Sequence, residues 1–558
     1  MNSPAPDRMH DFPTDRFDAI IIGAGIGGLT AAAILAKHGR SVLVLESHYA
    51  LGGCATVFSR VGKNQGYAFD VGLHYIGDCG PDGLIPRILH GAGVDDIHFL
   101  EQAPDGFDTL YFPDFKFKIP RGAETFRASL LAAFPQEAAG IHRYLALLYQ
   151  VWALMGLHAE PLSAFRVLPT SLLALRYLNA TVGEFVATCT DNPRLKAILT
   201  GQLGVYHQPP SRASLMGHAG VTMHFLHGSF YPAGGGQVLS DRLAEVIERH
   251  GNKILLRAKV QRILTSNGRA TGVEFNSNAL GLRTAHASVV ISNADIKHTL
   301  LTLLGKDTLR PRAAARVRHY DMAPAMGVVY LGVKRDIASA GMPNTNLRIY
   351  PGYDYEETYH DAAHGKFSAR PHVFVGNASL KDPHNPKVAP PGVMNMQLMS
   401  LVPSDFAAWK VTEADYHNGS YRKNRDYQQI KEEFAERVIN ETERVIPGLS
   451  KDIVFKEVAT PLTVMRYTGA SNGTSYGISM IPSQFLHRRP PATTPIKGLL
   501  LAGASLRTGH GIFGAMTSGV EAASIVLGAA IKRDIFRTRP GRSQFTDRLA
   551  CLCRHCTH

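Results

Sequence analysis

The chain is short of the features that would place it in a membrane, in a secretory pathway or on nucleic acid. It has 558 residues, 45% of them hydrophobic. Yet no uninterrupted apolar stretch reaches the ~18 residues that a membrane-spanning helix needs. The best candidate, residues 144–157 (YLALLYQVWALMGL), is too short. The opening MNSPAPDRMHDFPTD has no apolar core of a signal peptide, so secretion is not expected. Cysteine is scarce. Cys54, Cys79, Cys189, Cys551, Cys553 and Cys556 make no disulfide framework for a chain of this length, and a reducing, cytoplasmic compartment is the expectation. Charged residues are only 19%, and acids are outnumbered, 46 against 59 Lys and Arg, for a net charge of +13. Such a balance suits nucleic acid or an anionic lipid surface. No zinc finger, RNP or helix-turn-helix pattern and no aromatic-interleaved basic patch is present, so nucleic acid is set aside and a lipid surface kept. Low charge with high apolar content excludes a disordered chain. At roughly 100–200 residues per domain, two or three domains are expected.

What is present begins at residues 18–53, DAIIIGAGIGGLTAAAILAKHGRSVLVLESHYALGG. The apolar run 19–22 reads as a buried parallel strand. Gly23, Gly25 and Gly28 follow in G-x-G-x-x-G spacing, then an apolar helix, then a second strand over 41–45 with Glu46 at its end. Gly23 permits a tight turn. Gly25 lets the backbone approach a pyrophosphate, and Gly28 lets the helix sit against the strand. The first helical turn offers N–H groups to phosphate. Glu46 stands where an acid bonds a ribose hydroxyl. Flanked in this way, the motif predicts a dinucleotide site. Gly52 and Gly53 are expected to extend it toward the far end of the pyrophosphate.

Beyond it, residues 66–78 (GYAFDVGLHYIGD) place Asp70, His74 and Tyr75 among apolar neighbours, where they are structural or line a cavity. Alternation over 107–120 predicts a hairpin in a second sheet. Residues 141–216 read as helices rich in Leu, Ala and aromatics, which roof an apolar pocket or dip into a membrane interface. A glycine cluster at 231–236 (YPAGGG), a helix over 237–250 and strands near 253–256, 258–264, 272–275 and 287–292 return the chain to the first sheet. Strands near 328–333, 372–374 and 393–401 and a helix over 430–445 form a further unit, with 355–366 read as a loop. A short buried strand at 499–503 leads into GHGIFGA (509–515) and an Ala-rich helix over 516–527. The basic tail ends in CLCRHCTH, whose spacing does not match paired zinc knuckles, so no metal site is expected.

Together these features resemble the FAD-dependent phytoene desaturase, carotenoid isomerase and retinol saturase family. The resemblance rests on the fingerprint Gly23–Gly28 with Glu46 and the LGG at 51–53. It rests further on FDVGLHYIG at 69–77, YPAGGG at 231–236, AKVQRI at 258–263, and LLAGAS at 500–505 with the block 511–519. It implies an α/β fold: a Rossmann-type FAD-binding domain of glutathione-reductase type assembled from separated segments, with a mixed α+β substrate domain and a helical lipid-facing subdomain. The implied boundaries are a leader 1–16, FAD-binding segments 17–83, 231–315 and 495–533, substrate segments 84–230 (with the helical subdomain) and 316–494, and a tail 534–558. Val260 would meet the adenine with its backbone, and Gly503, Gly511 and Met516 would lie near the flavin.

The implied chemistry is hydride transfer between flavin N5 and a carbon of a long hydrophobic polyene, a carotenoid or retinoid-like lipid. Its direction is that of a saturase or a desaturase. The alternatives are a redox-neutral cis/trans isomerase and, further off, an amine-oxidase-like enzyme. His74, Tyr75 and His510 are the candidates for moving a proton. With no second nucleotide fingerprint, the electron donor or acceptor is expected to be external. Association with a membrane surface is expected to be peripheral.

Overall fold

Strand Arg16–Ile22 is the middle of the sheet that holds the fingerprint. Its last four residues are buried, as a strand covered on both faces requires. On one side it pairs in parallel with Val42–Leu45, which pairs in turn with Lys253–Leu255. On the other it pairs in parallel with the second half of the long strand Gly281–Ser292. That strand changes partners along its length. Its end lies beside Leu499–Leu501, and its beginning pairs antiparallel with Arg269–Ser277, which pairs with Ala258–Ser266. The sheet thus draws strands from near the start, the middle and the end of the chain. The computed structural model describes residues 15–61, 66–156, 164–205, 208–305, 308–336, 342 and 344–537. The expectations for most of the leader and for the Cys/His tail lie outside the described residues.

Three helices cover one face of this sheet. Helix Ile26–Lys37 packs on Gln237–Arg249 and on Gly511–Leu527. The second contact is backbone on backbone: a Cβ on Gly519 would sit 2.3 Å from the Gly27 carbonyl oxygen. Helix Leu84–Ala92 joins the same core through Ile85, Ile88, Leu89 and Ala92. That core therefore takes in residues past 83.

A second seven-stranded sheet runs Ile453–Ala459, Met326–Val333, Met394–Leu401, Val373–Asn377, Asn346–Ile349, Asp108–Tyr111 and Lys116–Ile119. The expected hairpin is its edge, closed by the pairs Asp108↔Ile119 and Tyr111↔Lys116. Residues 355–366 are not a loop: Glu356–Ala363 is a helix, held by burial of Thr358, Tyr359 and Ala362. The helices Ala138–Gly156, Leu172–Arg176, Val182–Val186, Pro193–Thr200 and Leu215–Leu226 form the apolar helical layer expected from 141–216. Among the described residues, no helix is long and apolar enough to cross a membrane.

Candidate functional site

The fingerprint loop leaves no room for side chains. Gly23 has φ +89°, where only glycine is relaxed. A Cβ on Gly25 would come within 2.4 Å of Asn293 Nδ2, one on Gly27 within 2.8 Å of Asn293 Oδ1, and one on Gly503 within 3.1 Å of the same oxygen. The Asn293 amide is thus wedged between the first turn of helix Ile26–Lys37 and the loop after Leu499–Leu501. Gly28 stands behind the loop, where a Cβ would strike the Gly23 carbonyl oxygen at 2.4 Å. Its task is helix-to-turn packing, not lining. Gly52 donates its N–H to the Ala24 carbonyl at 2.8 Å and closes the loop from above, with Gly53 beside Gly25.

Helix Ile26–Lys37 begins at Gly25 with no side-chain cap and no acid in its first turn. Helix Gly511–Leu527 begins at His510 in the same condition. Both helix starts open on one cavity, so their unsatisfied N–H groups and positive dipole ends are available to an anion. Glu46 Oε2 accepts from the Ala24 N–H at 2.7 Å, and Oε1 from the His48 N–H at 2.7 Å. A carboxylate has about four acceptor positions, so it retains capacity for ribose hydroxyls. The Ala258 N–H donates to the Glu46 carbonyl at 2.8 Å, which sets Val260 on the same wall. Uncapped helix ends, glycine-only contacts and a carboxylate with spare acceptor positions fit a dinucleotide.

The cavity has a volume of about 3160 Å³. It runs from Gly23, Glu46 and Val260 past Gly503 and Gly511 into a channel walled by Trp152, Met155, Met216, Phe225 and Phe485. His74, Tyr75 and His510 line it too. Met516 does not: it is fully buried in the core under the sheet, and its neighbours Ala515 and Thr517 face the cavity. The helix begins at Gly511 rather than at Met516, which turns that side chain inward.

Beside the channel lies a cluster of buried charges. Arg348, 3% exposed, donates from Nε to Asp108 Oδ2 at 3.0 Å and from Nη2 to the Tyr75 hydroxyl at 2.5 Å. Burial opposes the guanidinium charge, but Asp108 outweighs it and holds Arg348 firmly protonated. Burial also raises the Tyr75 phenol well above its usual range. Burial, then the Lys381 charge, push His74 down to about 3, so the imidazole is neutral. Lys381 itself is lowered to about 7 by burial, and Asp70 is raised to about 6 by burial. His510 packs tilted against Tyr476, with ring centroids 4.7 Å apart. Cys54, on the cavity wall, is raised by burial and is no ready nucleophile. Among the described residues no group of His, Cys, Asp or Glu could hold a metal.

Sequence reasoning missed Asn293, Arg348, Asp108 and Lys381. Asp108 and Arg348 are 240 residues apart, and nothing local in either segment announces the pair. A buried Arg amid NLRI was the one available signal, since such a residue needs a partner.

A family model described as an NAD(P)-binding Rossmann-like domain matches residues 21–90, and one described as flavin-containing amine oxidoreductase matches residues 418–527. The all-trans-retinol 13,14-reductase of Danio rerio is 30% identical, covering 93% of this chain and 87% of its own length. The chloroplastic prolycopene isomerase of Daucus carota is 29% identical, covering 91% and 79%. A solved oxidoreductase from Methanosarcina mazei shares the fold, with TM-score 0.60 at 17% identity, over 91% of this chain and 99% of that one.

Proposed function

The chain belongs to the family of FAD-dependent carotenoid and retinol oxidoreductases, and from that premise we propose that it adds hydrogen to, or withdraws it from, a long conjugated polyene lipid of carotenoid or retinoid type. The observation that carries this reading is the continuity of the cavity. Its 3160 Å³ compares with the ~300–1,000 Å³ of a site for one drug-sized ligand. A dinucleotide at the glycine end leaves the apolar end for a second long molecule.

When bound, FAD supplies the centre that takes up or gives up two electrons with a hydride. The chain's own residues do the rest. The turn at Gly23 and Gly25, with Gly52 and Gly53, would admit the pyrophosphate. Glu46 would take the ribose and Val260 the adenine, and Gly503 and Gly511 would border the flavin. Gly28 and Met516 would support this cradle from behind. The channel residues would align an extended chain and exclude water from it. His74, Tyr75 and His510 are the groups on the wall proposed to hold or move a proton. Neutral His74 suits that work better than Tyr75, whose hydroxyl is tied to Arg348.

A redox-neutral cis/trans isomerisation is the second reading, because the retinol reductase and the prolycopene isomerase stand at almost equal identity. Substrate would enter from a lipid surface. Met155 and Leu175 line the channel and are also exposed, and Phe165, Leu168 and Leu172, in the neighbouring stretch of chain, are exposed as well. We infer peripheral attachment on the cytoplasmic side, an external electron donor or acceptor, and the segment boundaries given above with helix Leu84–Ala92 moved to the FAD unit. Oxidised holoenzyme mixed without oxygen with polyene-bearing liposomes, and separately with aliphatic amines, tests the reading. A flavin spectrum perturbed or bleached by polyene alone supports it. Rapid bleaching by an amine, with no response to any polyene, would replace it with amine oxidation.

A further inference from the structure

Behind His74 stands a cation to which the mechanism so far gives no work. Lys381, 3% exposed, does not line the cavity. It donates from Nζ to the His74 carbonyl at 2.6 Å and sits over the rings of Tyr231 and Tyr75 at 5.8 and 6.0 Å. The carboxylates of Asp70 and Asp108 face it, Arg348 is paired to Asp108 behind them, and Asp382 follows it in the chain. Asp70 accepts from the Tyr231 hydroxyl and, at 2.8 Å, from the Gly236 N–H. Asp382 accepts from the N–H of Gly234, an exposed residue, at 2.7 Å. Asp382 is thus one hydrogen bond from an exposed residue, and His74 lies on the cavity wall.

Gly376 lies between the lysine and the histidine side chain. A Cβ there would be 3.7 Å from Lys381 Nζ and 3.8 Å from His74 Nδ1. A water set back from the glycine's Cα, between the two nitrogens, would bond both groups. We propose that Lys381 is a positioning residue that supplies a proton to the cavity through His74, across one water beside Gly376. This rests on the polyene reading above.

Saturating one C=C bond takes a hydride and a proton. The first is the family's flavin chemistry. For the second, the Lys381 ammonium releases a proton and becomes an amine. The water relays it to His74 Nδ1 as the other ring nitrogen releases its own proton to the carbon, where the new C–H bond forms. Solvent returns a proton to the amine from the Asp382 side, and desaturation runs the same path in reverse. A donor that titrates near 7 is matched to neutral pH.

The test uses FAD-loaded protein, chemically reduced, with retinol or carotene in liposomes, across a range of pH. Wild type should slow as pH rises through about 7. Lys381→Met should be about a hundredfold slower and lose that inflection, within the range general acid catalysis spans. Lys381→Arg keeps the charge but cannot release its proton, so it should be as slow as the Met variant; wild-type rates in it would overturn the proposal. Gly376→Ala should be about tenfold slower with unchanged FAD content. Its methyl makes only ordinary contacts, 3.4 Å to Phe374 Cε1 at the nearest, and its backbone is not left-handed. It keeps the test open if Lys381→Met does not fold. Should His74→Phe be inactive while the Lys381 and Gly376 variants keep wild-type rates and pH dependence, the relay fails and the His74 reading stands. A reading free of substrate separates this failure from failure of the polyene assignment. In carbon-13 lysine-labelled holoenzyme, the resonance lost in Lys381→Arg should titrate near 7, and titration near 10 overturns the proposal.

Discussion

Gly25→Ala distinguishes a glycine kept for packing from one kept for a ligand. The three atoms nearest an ideal Cβ at this position all belong to Asn293: Nδ2 at 2.4 Å, Cγ at 3.6 Å and Oδ1 at 3.9 Å. The amide must move by roughly 1 Å to reach ordinary contact, and overpacking of this kind costs about 1–3 kcal/mol. Asn293 has little freedom to move, since its N–H is fixed to the Ile22 carbonyl at 2.8 Å and its Oδ1 lies between Gly27 and Gly503. Adding Asn293→Ala removes the collision. The double variant should therefore match Asn293→Ala in urea denaturation to within about 1 kcal/mol, the additivity expected once the contact is gone. FAD binding should not recover. A methyl in the pyrophosphate approach should weaken it at least about a hundredfold, or ~2.8 kcal/mol, in single and double variants alike. The assay is titration of apoprotein with FAD by fluorescence quenching. Affinity in the double variant equal to that of Asn293→Ala would refute the reasoning, because the glycine would then serve packing only.

Other consequences are open to measurement. Arg348→Met leaves Asp108 buried without its ion pair and should cost ~3–5 kcal/mol in denaturation, most of it regained in Asp108→Asn/Arg348→Met; equal losses in both would argue against the pair. Asp70 is raised in the folded protein from 3.8 to about 6. Its contribution to stability is full below pH 4 and is lost as pH rises to 6, so Asp70→Asn should flatten wild type's decline across that window; parallel profiles would deny the shift. Phe165 and Leu172 are 71% and 69% exposed, so Phe165→Asp/Leu172→Asp should reduce flotation with anionic liposomes and leave FAD content and melting unchanged.

The parts that could be read in the sequence are those whose physics is local. A run of apolar residues ending in three spaced glycines and followed by an acid defines strand, turn and helix within 30 residues, and the structure follows it at Arg16–Ile22, Ile26–Lys37 and Val42–Leu45. The helix Glu356–Ala363 was hidden because its eight residues, EETYHDAA, carry no clear apolar stripe and are held by tertiary burial. The sequence places the start of the last long helix at Met516, because Gly511 and Gly514 resemble a loop, whereas it begins at Gly511. Gly514 is instead demanded by crowding, as a Cβ there would lie 2.4 Å from the Gly509 carbonyl carbon. The strand Asn346–Ile349 contains a buried Arg and a buried Asn, which no apolar pattern detects. The cluster of Lys381, Asp70 and His74 joins segments some 300 residues apart. Only the folded chain brings them together, with His74 on the cavity wall and the other two off it.

The central claim is the union of flavin and polyene in one cavity. Its most direct test is to incubate oxidised and chemically reduced holoenzyme, without oxygen, with liposomes carrying carotenes or retinol, and to separate the products by chromatography with mass detection. The account predicts a product that differs from the substrate by two hydrogens, or one of equal mass and altered double-bond geometry. Fully FAD-loaded enzyme that leaves every polyene unchanged in both redox states would contradict it.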